Sequence, residues 1–87
     1  MKKRLKYYKE IERERVRQDK KWGQQNHHDY IWHLILSEEF GEISQAVCVQ
    51  KFDGKVSRKD QDNLDKEIIQ TAAVLIAWAE SRKRNRK

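Results

Sequence analysis

The sequence predicts an all-α fold: an N-terminal helix followed by a helical hairpin, completing a four-helix-bundle core by oligomerisation. Three observations predict it. Proline is absent from the 87 residues and glycine occurs three times, so little interrupts helical backbone. Apolar residues concentrate in Tyr30–Phe52 and Leu64–Ala79, while strand-like alternation is not sustained anywhere. Only 37% of the chain is apolar against 39% charged, which is two rich helices and one poor one. A chain this short buries only about 60–65% of its unfolded surface. That is a thin core for a monomer, and a homodimer or homotetramer is expected. One domain spans 1–87, with basic, mobile ends at about 1–4 and 82–87.

The first helix is expected from about Lys3 to Lys20. It is strongly charged, with an intermittent apolar stripe at Leu5, Tyr8, Ile11 and Val16. Trp22-Gly23 should end it, with Gly23 supplying a left-handed cap. Gly23–His28 is a polar connection, and Asn26 or Asp29 can cap the next helix. That second helix runs from about Asp29 to Phe52 and stops at the turn signal Asp53-Gly54. Ser57-Arg58-Lys59-Asp60 resembles a capping box, so a third helix follows, to about Arg84. From Thr71 to Ala79 it is apolar all round, the mark of a central element. The polar, basic tail from Ser81 to Lys87 reads as mobile.

Charge is unevenly placed. Residues 1–18 carry a net +5, residues 19–80 a net −4 and residues 81–87 a net +5. An acidic body suits divalent cations rather than duplex DNA, whereas the basic ends can steer polyanions. The single cysteine, Cys48, permits no disulfide within the chain and fits a reducing, cytoplasmic setting. It reads as an ordinary helix residue. No apolar run approaches the ~20 residues that span a bilayer, so no membrane partner is expected. The N-terminal stretch lacks the apolar segment of a secretory signal.

The most informative stretch is Ser37-Glu38-Glu39-Phe40-Gly41-Glu42-Ile43. At about 100° per residue, Trp32, Ile35, Leu36, Ile43 and Ala46 gather on one side of the second helix. Glu39 falls near the middle of that side, Glu42 on its flank and Glu38 at its border. An isolated carboxylate facing a core costs several kcal/mol. A bound cation or cationic partners relieve that cost; a helix rotated to put the glutamates in water avoids it. On the third helix Glu67 shares a face with Thr71, Val74 and Trp78. An antiparallel hairpin lets these acids meet. Oxygen-only ligands suit a hard cation, Mg²⁺ or Mn²⁺, and magnesium in turn seeks the phosphates of a nucleotide.

With these residues in view, the chain resembles the MazG-like, all-α nucleoside triphosphate pyrophosphohydrolases, in particular the short phage and bacterial type. The resemblance lies in Glu38-Glu39-Phe40-Gly41-Glu42, in Glu67-Ile68-Ile69-Gln70 after 24 intervening residues, in Gln18–His27 and in Gln70–Trp78. It covers about residues 12–80. Gln70 stands where the family pattern has Asp, which removes one negative charge. Three outcomes stay open: a tuned site, an altered substrate range or lost catalysis.

The resemblance implies hydrolysis of a nucleoside triphosphate to the monophosphate and pyrophosphate, in a role of nucleotide-pool house-cleaning. Glu39, Glu42 and Glu67 would hold Mg²⁺, with Gln70 as a weaker ligand and Glu38 acting on the water. Lys21, Lys51, Lys55 and Lys66 are candidates to neutralise phosphates. Trp22 and Trp32 offer a flat partner for the base, or else are core or interface aromatics. Gln25, Asn26 and His27 can read the base edge. The spacing of His27, His28 and His33 matches no zinc pattern. The alternative is a catalytically weakened protein whose basic ends bind nucleic acid or an acidic protein. Nucleic acid is not favoured, for no helix-turn-helix signature occurs.

Overall fold

A computed structural model describes residues 2–53 and 56–86, with side chains at 3–49 and 56–86. Three helices occur among the described residues: α1, Lys2–Trp22; α2, Asp29–Asp53; and α3, Arg58–Asn85. No strand occurs among the described residues, in keeping with the missing proline and the scarcity of glycine. No helix among them is long and apolar enough to cross a membrane. The turn expected at Asp53-Gly54 falls partly outside the described residues.

The helix ends have identifiable causes. α1 stops because Gly23 takes φ +73° and turns its N–H onto the Asp19 carbonyl at 2.8 Å, a left-handed cap that a side chain would strain. α3 starts at the expected capping box. The Asp60 N–H donates to Ser57 Oγ at 3.1 Å and the Ser57 N–H to Asp60 Oδ2 at 3.3 Å. α2 departs from expectation, because neither Asn26 nor Asp29 is engaged in capping it. Asp29 Oδ1 accepts from Trp78 Nε1 at 2.8 Å and pairs with Arg82 at 3.2 Å, while Asn26 Oδ1 accepts from Arg84 at 2.9 Å. The donors of α3 take these oxygens away from the backbone. Asp29 still opens the helix, where its charge suits the dipole.

α3 is the central element. It packs against both α1 and α2, whose backbones make no close approach to each other among the described residues. α2 runs antiparallel to it, since Asp29 meets Arg82 near one end and Glu42 meets Glu67 towards the other. α1 runs in the same direction as α3: Glu10 lies beside Asp65, Arg15 pairs with Glu80, and the Gln25 carbonyl beyond α1 accepts from Arg84. The core is small. Trp32, Val74 and Ala77 form it, with Ile35, Leu36 and Trp78 packed around them.

The helices extend into both segments expected to be mobile. α1 is already helical at Lys2, and α3 continues through Asn85. Ser81 is fully buried; its hydroxyl accepts the His27 N–H at 3.3 Å. Arg84 donates to the Gln25 carbonyl at 3.0 Å. The polar tail is therefore held by the 23–28 connection, whose backbone groups it satisfies in place of water.

Candidate metal centre and the adjoining cleft

Glu39 and Glu42 lie one turn apart on α2, and the antiparallel α3 brings Glu67 to them. One oxygen from each carboxylate lies within 4.8 Å of the other two. Glu39 and Glu67 are half-buried and Glu42 is exposed. The helix is thus not rotated to turn the whole group into water. Glu67 Oε2 is buried with no hydrogen-bond partner. Burial pushes the Glu67 carboxyl up to about 7, helped by a hydrogen bond and repulsion from Glu42 and by the Glu39 charge, with Lys66 opposing. Glu39 is also raised, by burial first and then by Glu42, Glu14 and Glu38. Three carboxylates this close resist full ionisation without a counter-charge.

A small dication fits these residues. The donors are all oxygen, and the group includes a buried oxygen with no partner, which is the chemistry a hard cation takes. Glu38 is exposed and stands outside the group of three, next to Glu39 in the chain.

α1 and α2 leave a cleft of about 310 Å³ between them over α3. Glu39 and Gln70 form part of its wall, so the acid group adjoins it. Trp22 and Gln25 also border it, as the base-recognition reading requires. Trp32 borders it too, but is only 1% exposed. Its ring face is committed to the core and does not serve as an open stacking platform; its Nε1 has no partner. Trp22, at 53% exposure, is the exposed tryptophan of the cleft wall.

Other nominated residues are not brought to the cleft. The Lys21 ammonium lies over the Trp22 ring at 4.7 Å, because a cation–π contact next in sequence competes with the cleft for it. His27 packs edge-on against Trp32, ring centroids 5.1 Å apart. Lys66 borders a second, neighbouring groove that shares Gln70 and Arg17 with the first. The side chains of Lys51 and Lys55 lie outside the described residues.

The cations that do border the cleft are Arg15, Arg17 and Arg84, none of which the sequence singled out. Arg15 bonds to Glu80 at 2.9 Å and Asp19 at 3.0 Å. Burial alone would lower it, but these partners hold its guanidinium above the usual range. Arg17 chelates Glu14 at 2.6 and 2.8 Å, and that bond lowers the Glu14 carboxyl against the opposing effect of burial. The signal for this group was the spacing of Glu14, Arg17 and Gln18 on one face of α1. It became readable only once α1 was docked on α3.

Compared with family models, with curated proteins and with solved structures, the chain matches none of them. The functional reading therefore rests on the residues themselves.

Proposed function

We propose that the protein is a Mg²⁺-dependent nucleoside triphosphate pyrophosphohydrolase, similar to the MazG-like all-α enzymes, acting in nucleotide-pool house-cleaning. The observation that carries this reading is the meeting of Glu39, Glu42 and Glu67, with one Glu67 oxygen buried and unpartnered, at the edge of a cleft bordered by Arg15, Arg17, Arg84 and the acids Glu14, Asp19 and Glu80. Glu39, Glu42 and Glu67 hold the ion, Mg²⁺ or Mn²⁺, with the Gln70 amide oxygen as a weaker donor. When bound, the ion polarises phosphate oxygens and makes a water more acidic.

The chain's own residues do the rest. Arg15 and Arg17 border the cleft; a polyphosphate would exchange for the carboxylates they hold, Glu80 and Asp19 on Arg15 and Glu14 on Arg17, and the cations would then offset charge on the leaving pyrophosphate. Trp22 gives the base a flat apolar surface, and Gln25 offers hydrogen bonds to its edge. Glu38, exposed beside the acid group, takes the proton of the attacking water. The water oxygen would bond to the α phosphorus as its proton passes to Glu38, and the bond from that phosphorus to the α–β bridging oxygen would break, releasing the nucleoside monophosphate and pyrophosphate. Two copies together complete a four-helix core.

The test is direct. Incubation with a panel of nucleoside triphosphates and Mg²⁺ should release pyrophosphate, and Glu39→Gln should abolish this while remaining helical. Absence of pyrophosphate release with every triphosphate, together with salt-dependent binding of DNA, would replace the enzyme by the nucleic-acid-binding alternative.

A further inference from the structure

Glu14 approaches the acid group from a third helix. Glu39 and Glu42 belong to α2 and Glu67 to α3, whereas Glu14 belongs to α1. It lines the cleft together with Glu39 and Gln70. It also lines the neighbouring groove with Gln70 and Lys66. Glu14 therefore stands over the stretch of α3 that carries Glu67 and, one turn on, Gln70. Its charge is felt at Glu39. After burial and Glu42, Glu14 does more to raise that carboxyl than Glu38, the next residue in the chain.

The carboxylate is held rather than free to swing. Its side chain is only 11% exposed. Oε1 accepts from Arg17 Nε at 2.8 Å, and Oε2 accepts from Arg17 Nη2 at 2.6 Å and from Gln18 Nε2 at 3.2 Å. Gln18 is itself buried, and its oxygen accepts from Arg15 at 3.3 Å. An ionised carboxylate offers about four lone-pair positions, so Glu14 keeps room for a further donor. A surface ion pair one helical turn apart contributes little and needs neither this burial nor a second donor.

The neighbourhood also gives Gln70 a reason. A carboxylate at position 70 would add one more negative charge to a wall that already holds Glu14, Glu39 and Glu67. Like charges at close quarters resist ionisation. The amide at 70 keeps an oxygen there without that repulsion.

We infer that Glu14 is a fourth acidic group of the metal centre, supplied by α1 in place of a charge at position 70. Glu14 stands outside the three residues whose oxygens lie within 4.8 Å of one another. It therefore acts toward the ion through a water, and magnesium keeps several of its waters when bound. Arg17 holds the carboxylate in position while the site is empty. The inference rests on the metal-dependent reading proposed above.

The test is calorimetric titration of Mg²⁺ into the full chain, with circular dichroism as the check on folding. Glu14→Gln should weaken binding about 10- to 100-fold, the usual loss for a group that supports a metal from outside its ligands. Arg17→Gln breaks the same ion pair but leaves the carboxylate, and should bind Mg²⁺ at least as tightly as the wild type. A merely structural pair predicts that both variants weaken binding alike. Adding Gln70→Asp to Glu14→Gln should restore most of the lost affinity, which a misfolded variant would not recover. Wild-type affinity in Glu14→Gln, equal losses in Glu14→Gln and Arg17→Gln, or no recovery in the double variant would each overturn the role of Glu14 while leaving the enzyme reading in place. A wild type with no saturable Mg²⁺ binding would overturn both.

Discussion

Glu67 carries two unusual features at one carboxyl. One oxygen is buried without a partner, and the group keeps its proton up to a pH of about 7. The folded pKa lies above the ordinary value of 4.5, so the folded chain binds more protons than the unfolded one between these values. Stability of the metal-free protein is then present at low pH and falls as pH rises from about 4.5 through about 7. Thermal melts in chelator from pH 4 to 8 should show that fall, and saturating Mg²⁺ should flatten it. A midpoint that climbs across the same window would exclude the shift. Glu67→Gln removes the charge but keeps the shape. It should raise the metal-free midpoint at pH 8 and cut pyrophosphate release by at least about 100-fold, more than typical losses of groups that only support a metal ligand. Gln70 gives a third residue-scale expectation. Gln70→Asp adds a charge on the wall shared with Glu39 and should tighten Mg²⁺ binding; an unchanged affinity would remove position 70 from the ion's surroundings.

At the scale of elements, the capping box of Ser57 and Asp60 fixes where α3 begins. Ser57→Ala should cost about 1 kcal/mol of stability, measured by urea unfolding. Its Mg²⁺ affinity should stay the same, since Ser57 is several turns from the acid group. The helices and the acid face were legible in the sequence because both follow from periodicity: Trp32, Ile35 and Glu39 share one side whatever the neighbours are. The places of Arg15, Arg17 and Lys21 were not. α1 has too few apolar residues to declare its docking face; Leu5, Tyr8 and Val16 are all exposed. Its orientation depends on ion pairs such as Arg15 with Glu80, made across 65 residues of chain. The same cause explains the C-terminal tail, which reads as solvated until Ser81 and Arg84 are found on the 23–28 connection.

For the whole molecule, α3 serves as a spine that holds α1 and α2 apart. The gap between them is the cleft, and the acid group sits at its edge where α2 meets α3. A core of this size, with Trp32, Val74 and Ala77 at its centre, leaves Tyr30 and Leu34 of α2 exposed and the cleft open. The account depends on three carboxylates sharing one ion. Calorimetric titration of Mg²⁺ at pH 7, repeated in buffers of different ionisation enthalpy, tests this most directly. One saturable site per chain is predicted, with proton release as Glu67 ionises, and both should vanish in the Glu39→Gln, Glu67→Gln double variant. No saturable binding by the wild type, or equal binding by the double variant, would contradict it.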